Sequence, residues 1–229
     1  MQLDILAFGA AAILCLVWQY RRDRERQRKV RGGFFANCRA LLELSEVAQD
    51  NLQFPVLTGR YEGFDVKLEP IVDDMVVRKL PSLWLKVSLI APVRYAGAFD
   101  LLIRPRGMEF FSPAFDLPSE VRLPSGWPAD AVIRSDDPAS MPPAETVAQH
   151  LHLFEDARMK ELLIAPRGVR LIYQADQAER SQYAVLRQCK FSEARLAPDL
   201  ARRLLDAVTS VYHSVAAASN ELAASQPGG

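Results

Sequence analysis

Histidine and cysteine, the side chains that most often bind transition metals, are scarce in this sequence, with three of each among 229 residues. No two cysteines have the Cys-x-x-Cys spacing of a zinc or redox site, and such sparse use is typical of a reducing compartment. His150 and His152 lie two positions apart on a predicted helix. Their side chains would therefore point to different faces and could not act as an i, i+4 pair. The sequence predicts no metal ion and no cofactor.

The motifs of the common catalytic sites are also missing. The chain has no Gly-x-Ser-x-Gly elbow, no Walker-type phosphate loop and no Gly-x-Gly-x-x-Gly turn. The glycines at 59 and 63 flank a segment that a strand follows, so they indicate a hairpin and not a phosphate cradle. Cys189 and His213 are a conceivable nucleophile and base, but Cys189 is explained more simply as a packing residue of its strand. These absences favour a protein without enzymatic activity.

A third absence concerns charge near the N-terminus. Residues 5–20 carry no charged side chain, and a helix of that length spans about 24 Å, close to the lower limit for crossing a membrane. No Lys or Arg precedes position 21 and no small-residue cleavage site follows the apolar run, unlike a cleavable signal peptide. Residues 1–20 are therefore predicted to form a single-pass transmembrane signal anchor.

A basic neck, residues 21–33, follows the apolar run. Residues 21–31 hold seven Lys/Arg against two acids, and because positive charge favours the cytoplasmic side, the N-terminus is predicted outside and the domain inside, at the inner (plasma) membrane. Residues 1–31 sum to +4, which leaves −4 on residues 32–229 of a neutral chain. The neck is thus suited to the lipid bilayer and its anionic headgroups, and no nucleic-acid partner is predicted. The predicted membrane-interface residues are Trp18, Tyr20, Arg21, Arg22, Arg24, Arg26, Arg28, Lys29 and Arg31.

The rest of the chain predicts an α+β fold, a cytoplasmic domain at 53–215 with an antiparallel β-sheet and helices on one face. An amphipathic helix is expected over 34–52 and a flexible tail over 216–229. Seven prolines in 113–143 predict a long irregular loop, either a binding loop or a segment that covers a sheet edge. Alternating apolar residues predict strands at 56–60, 64–68, 83–90, 99–103 with 108–111 (a hairpin), 131–134, 162–173 (a hairpin) and 183–191. Helices are expected to start near 143 and 198, and the second has an apolar stripe of Leu200, Leu204, Val208, Val211 and Val215.

The string Leu-Leu-Ile-x-Pro-Arg-Gly occurs twice, at 101–107 and 162–168. Each copy precedes another strand-like run and a Pro-started helix, which suggests two duplicated ββ-β-α halves at 99–154 and 161–215, unless common strand strings coincide by chance. Hairpin turns explain the repeated Pro and Gly. They do not require the repeated arginine, so Arg106 and Arg167 are candidate contacts for a partner or an anion, with tolerated turn residues as the alternative.

The leading hypothesis is a membrane-tethered, non-enzymatic cytoplasmic interaction or scaffold module that docks a partner protein at the inner face of the membrane. The first alternative is a small-ligand or lipid-headgroup sensor that uses the 113–143 loop with Arg106 and Arg167. The second is a hydrolase or phosphotransfer enzyme with a site around Asp136, Asp137 and His152. Oligomeric state does not follow from the sequence.

Overall fold

A computed structural model describes residues 2–51, 53–73, 80–105, 109–178, 191 and 195–225. Side chains of the first helix are described from Ile13 onward. Within the described residues, 3-10 turns occupy Arg39–Leu41 and Leu151–Glu155. The helices and strands there are α1 (Gln2–Gly32), β1 (Glu43–Ala48), β2 (Val56–Tyr61), β3 (Phe64–Asp73), β4 (Ser82–Ile90), β5 (Phe99–Ile103), β6 (Ser119–Val121), β7 (Ala131–Ser135), α2 (Ala144–Ala148), β8 (Met159–Ala165), β9 (Gly168–Gln177) and α3 (Pro198–Ser225).

The nine described strands form one antiparallel sheet in the order β1-β2-β3-β4-β9-β8-β5-β7-β6. This confirms the predicted α+β class with a large antiparallel sheet. One face of the sheet packs against α3, which contacts β4 and β9. The side chains of β4 alternate accordingly, and those pointing at α3 are Leu83, Leu85, Val87 and Leu89, all buried.

Local turn chemistry accounts for the hairpins. Glu62 and Gly63 link β2 to β3 with φ values of 49° and 83°, the pair of positive angles that a two-residue type I′ turn needs. The β8–β9 hairpin turns at Pro166 and Arg167, because Ala165 already pairs with Gly168. Gly168 has φ of 144°, and a Cβ at this position would overlap the carbonyl oxygen of Leu89 on β4. Glycine is therefore required there by both backbone angle and space.

The predicted amphipathic helix over 34–52 is wrong. Residues 33–38 form successive turns, a 3-10 turn follows at Arg39–Leu41, and β1 begins at Glu43. The apolar spacing in this segment also fits 3-10 turns, because these turns bring residues i and i+3 to one side. Phe34 and Phe35 are inserted into the core by these turns and are fully buried.

The predicted hairpin between 99–103 and 108–111 is also wrong. β5 lies between β7 and β8, and the residues from Glu109 to Ser112 make a turn closed by a 2.9 Å backbone hydrogen bond. Residues 106–108 lie outside the described part of the chain. The two copies of the repeated string instead pair with each other, Leu101 opposite Leu162. The described part of the first copy thus lacks the second strand that a ββ-β-α half requires.

Two helix boundaries differ from expectation. The helix expected from 143 is one short turn, α2, continued by the 3-10 turn at Leu151–Glu155. The expected flexible tail from 216 instead begins as the last turns of α3, which runs to Ser225. Four of the five residues of the predicted stripe of α3, Leu204, Val208, Val211 and Val215, are buried, and Leu200 is partly buried. The strand expected at 183–191 falls almost entirely outside the described residues.

The N-terminal segment is one continuous helix, and 31 residues correspond to about 46 Å at 1.5 Å per residue. In the part of the chain that the structure describes, no helix has both the length and the apolar character required to cross a membrane. The transmembrane span stays a prediction.

Candidate functional site

Large apolar side chains are exposed along the middle of α1. Ile13, Leu14, Leu16, Val17, Trp18 and Tyr20 are between 44% and 69% exposed. Successive helix positions are rotated by about 100°, so these residues spread over an arc of about 200° around the axis. An apolar surface of this kind marks an interaction site, and whatever buries it must contact more than half of the helix circumference.

The predicted membrane-interface residues follow directly on this apolar segment. From Arg21 to Lys29 the helix is exposed, and two arginines fold back over the boundary aromatics. The guanidinium of Arg22 lies 5.2 Å from the ring centre of Trp18, and that of Arg24 lies 5.6 Å from the ring centre of Tyr20. Such cation–π contacts hold aromatic rings and positive charge at the same level of the helix.

Arg31 differs from the other neck residues because it belongs to the junction with the domain. Its guanidinium lies 5.2 Å from the ring centre of Phe54, and Phe54 packs edge-on against Phe34 at 5.2 Å. The amide of Gln49 donates to the Arg28 carbonyl at 3.0 Å. These contacts attach α1 to one end of the sheet, here called the neck end, where β1 ends at Ala48, β2 begins at Val56 and β4 begins at Ser82.

The candidate contact Arg167 is exposed at the tip of the β8–β9 hairpin. This tip lies at the far end of the sheet, with Ile90 and the Glu62–Gly63 turn. Arg106 lies outside the described residues, so its role stays a prediction. The strand that precedes it, β5, is antiparallel to β8 and ends at the neck end. No described contact joins the two repeat turns into one anion site.

The residues of the hydrolase hypothesis have local structural roles. Asp136 Oδ1 accepts hydrogen bonds from the backbone N–H groups of Ala98 at 2.7 Å and of Asp137 at 2.9 Å. Asp137 in turn accepts from the Ala139 N–H at 3.1 Å, and His152 Nδ1 lies 2.9 Å from a carbonyl in its own turn. Carboxylates used this way are turn residues. Among the described residues, no group of three or more His, Cys, Asp or Glu side chains is arranged to hold a metal ion.

A histidine–serine contact at α3 has the wrong polarity for nucleophilic catalysis. His150 Nε2 lies 2.9 Å from Ser214 Oγ, and Ser214 Oγ donates to the Ser210 carbonyl at 3.1 Å. Since the hydroxyl proton is used toward the backbone, His150 must donate to the serine oxygen. A general base would instead accept that proton. Burial lowers the pKa of His150, and the nearby His152 lowers it further, which agrees with a neutral structural histidine.

A buried charged cluster lies on the second face of the sheet, and sequence reasoning missed it. Asp100 and Glu161 come from neighbouring strands and both have 0% exposure. Arg170 Nη2 donates to Glu161 Oε1 at 2.6 Å, whereas neither oxygen of Asp100 has a hydrogen-bond partner among the described residues. Burial raises the pKa of Asp100 well above its ordinary range, Glu161 raises it further, and Arg170 opposes both effects.

The segment after Glu109 closes this cluster from solvent. Phe111 packs on Trp84 of the second face at 4.7 Å between ring centres, and Arg134 Nε donates to the Ala114 carbonyl at 3.1 Å. Burial also raises the pKa of Glu161, against the opposing effect of Arg170. With no accessible carboxyl oxygen, Asp100 and Glu161 form a structural cluster that shares the positive charge of Arg170.

Within the 113–143 loop, a groove beside β6 and β7 is lined by Glu120, Val121, Arg122, Leu123, Ala131, Val132 and Ile133. It contains a surface ion pair, Arg134 with Glu120 at 3.4 Å. Such exposed pairs contribute little energy. The groove is a feature of the β6 edge, remote from the tip that carries Arg167.

Comparison with known proteins leaves the chain without a family. No family model matches it, and no curated protein does. Among solved structures it is similar to the crystal structure of the mycobacterial trehalose monomycolate transport factor A, TtfA, with 12% sequence identity and a TM-score of 0.38 over 74% of this chain and 75% of that chain. Similarity at this level assigns neither family nor function, so function is argued from the chain itself.

Proposed function

We propose that this protein is a membrane-tethered, non-enzymatic interaction or scaffold module that docks a partner protein at the inner face of the membrane. In this proposal α1 is a single-pass anchor in the inner (plasma) membrane, with the N-terminus outside and the domain in the cytoplasm. The observation that carries the proposal is the wide band of exposed apolar side chains on α1, followed directly by a basic segment.

The energetic argument for the anchor is simple. Fully burying one large apolar side chain is worth about 1.5–3 kcal/mol, so the exposed set from Ile13 to Tyr20 represents on the order of 10 kcal/mol of unrealised stabilisation in water. The domain covers none of the six, because all remain exposed. A lipid bilayer surrounds a helix on every side and would therefore bury all six side chains at once.

The neck supports a fixed orientation. Each basic residue near an anionic surface contributes about 1 kcal/mol, and positive charge flanks the cytoplasmic end of a membrane helix. The cation–π contacts of Arg22 and Arg24 place positive charge beside the boundary aromatics Trp18 and Tyr20. The junction through Phe34 and Gln49 then holds the domain against the end of the neck.

The non-enzymatic part of the proposal rests on how the candidate catalytic groups are used. Asp136 and Asp137 cap backbone N–H groups, Ser214 donates to a carbonyl, and the Asp100–Glu161 pair is closed from solvent. A domain that presents surfaces and holds its polar groups in structural roles is suited to binding a macromolecule. Among the described residues, no comparable contact supports the sensor or the hydrolase alternative.

Membrane extraction tests the anchor. The full-length protein is expected to stay with the membrane pellet after an alkaline carbonate wash, and Leu14→Arg/Leu16→Arg is expected to release it, because charge in the apolar segment opposes insertion. Val30→Arg, also on an exposed position of α1, is the matched control and should stay in the pellet. A reporter fused after Gly229 should be active only in the cytoplasm. Release of the parent protein by carbonate, or reporter activity outside, would contradict the proposal.

A further inference from the structure

In the part of the chain that the structure describes, one edge of the sheet has no partner along a full strand. Among the described residues β1 occupies one edge and β6 the other, and β1 pairs only with β2. An edge strand presents unpaired N–H and C=O groups that can pair with an added strand. β6 has only three residues, whereas β1 has six, so β1 is the edge long enough to accept an extended segment.

Leu44 on this edge lies outside the core of the domain. It is 83% exposed, the highest value among the large hydrophobic residues that the structure describes, and its φ is 50°. A left-handed backbone favours glycine, tolerates Asn and Asp, and disfavours other residues such as leucine. A polar residue or glycine would suit both the exposure and the angle better. A strained, exposed leucine is thus better explained by contact with another molecule.

A β-bulge shapes the backbone around Leu44. The register shifts between Glu43 and Glu46, which pair with Arg60 and Thr58, so β1 contains one extra residue, a β-bulge. Gly59 lies opposite, and a Cβ there would come within 2.9 Å of the Glu43 carbonyl oxygen. Glycine on β2 therefore makes room for the bulge that turns Leu44 outward. Bulges often redirect a side chain at the edge of a sheet.

The acidic side chains of the β1 edge indicate which kind of partner it can bind. Glu43 and Glu46 flank Leu44 and are exposed. Glu43 lies opposite Arg60 on β2, whereas Glu46 lies opposite Thr58 and has no basic residue across the strand pair. Pairing β1 with β1 of a second copy would bring acidic side chains against each other, and like charges directly opposite destabilise a sheet. A strand that carries Lys or Arg would instead meet opposite charge. The edge therefore fits a basic extended segment.

We propose that the β1 edge binds the basic juxtamembrane segment of another inner-membrane protein as an added strand, with Leu44 as its apolar anchor. The membrane origin of this partner rests on the proposed function, because membrane proteins concentrate Lys and Arg beside their cytoplasmic helix ends. The position of the edge agrees, since β1 ends at Ala48 and the next residue, Gln49, donates a hydrogen bond to the Arg28 carbonyl near the end of α1. Ten extended residues span about 33 Å, enough to follow all of β1 from the neck end. Main-chain hydrogen bonds would supply affinity, and the side chains would supply specificity.

The test uses the full-length protein in nanodiscs of zwitterionic lipid and a synthetic ten-residue peptide of alternating Lys and Val. We expect saturable binding that weakens at least about tenfold when Glu replaces every Lys, or when alternate peptide amides are N-methylated. Binding should also weaken about tenfold in Leu44→Gly, while the melting temperature of that variant stays equal or rises because backbone strain is relieved. Phe115→Ala, at another exposed apolar residue, is the matched control and should bind like the parent.

Three results would overturn the inference: equal binding of the Lys and Glu peptides, unchanged binding by Leu44→Gly, or cross-linking through β1 that yields only dimers of this chain. Glu43→Gln/Glu46→Gln adds a second measure, since it should weaken binding and reduce its salt dependence. Failure here is separable from failure of the anchor. If carbonate releases the protein but the peptide still binds, only the membrane anchor is contradicted. If the protein resists carbonate but the peptide does not bind, only the proposed binding at the β1 edge is contradicted.

Discussion

Asp100→Asn tests the physical account of the buried cluster. Asp100 is fully buried, its oxygens have no hydrogen-bond partner among the described residues, and its nearest acid is the equally buried Glu161. A folded-state pKa above the unfolded value means that the native state binds more protons between the two values. The free energy of unfolding therefore falls as pH rises through that window, by about 1.4 kcal/mol for each unit of raised pKa. Asparagine removes this penalty because it stays neutral.

The expected gain from Asp100→Asn is about 1–3 kcal/mol at pH 8 and close to zero below about pH 3, where Asp100 is largely protonated in both states. The comparison variant, Glu161→Gln, should lose roughly 2–4 kcal/mol at pH 8, because Arg170 would then lack its buried anion. Urea unfolding in a non-ionic detergent, followed by tryptophan fluorescence at several pH values, measures both. If Asp100→Asn were less stable than the parent at pH 8, Asp100 would be an ionised, stabilising group and the reasoning would fail.

Three further variants or reagents test other parts of the fold. Gly168→Ala should lower the free energy of unfolding in urea by more than about 2 kcal/mol, because the new Cβ overlaps the Leu89 carbonyl. The control Gly63→Ala has a positive φ but open space, so it should lower the free energy of unfolding by only about 1 kcal/mol. Equal losses would refute the role of the close approach to Leu89. Val208→Ala should lower the free energy of unfolding by about 1–3 kcal/mol, because it leaves a cavity under α3. The exposed Arg203→Ala should change it very little. Similar values for both variants would show that α3 is not packed on the sheet. In a Cys15→Ser/Cys189→Ser background, Cys38 should resist iodoacetamide at pH 7.5 and should react after unfolding. The reason is that burial raises the pKa of its thiol to about 11. Rapid labelling of the folded protein would contradict this burial.

Sequence reasoning succeeded where structure is determined locally. The Glu62–Gly63 turn, strand β4 and the buried stripe of α3 each depend on neighbours a few residues away. The helix predicted over 34–52 failed because 3-10 turns share the i, i+3 spacing on which that prediction relied. Local propensity could not decide between these structures, since burial of Phe34 and Phe35 depends on contacts with Phe54 and Leu196.

Long-range pairing limited the prediction of the candidate sites. β5 was expected to pair with the segment just after it, but it pairs with β7 and β8. Part of the signal for the buried cluster was present, since Asp100 interrupts an apolar run, whereas Glu161 stands beside Lys160 just before one. Their meeting depends on the β5–β8 register, which no local pattern contains. The bulge at Leu44 was hidden for the same reason, because it depends on the register of β1 against β2.

The depth of Trp18 tests the membrane anchor most directly. In a full-length Trp84→Phe/Trp127→Phe variant, Trp18 is the remaining tryptophan, and its fluorescence can be read in vesicles that contain brominated lipid. A boundary aromatic lies near the headgroups, so we predict strong quenching by lipids brominated close to the headgroup end of the acyl chain and weaker quenching by lipids brominated near the terminal methyl. Fluorescence that neither lipid quenches would place Trp18 in water and contradict the anchor.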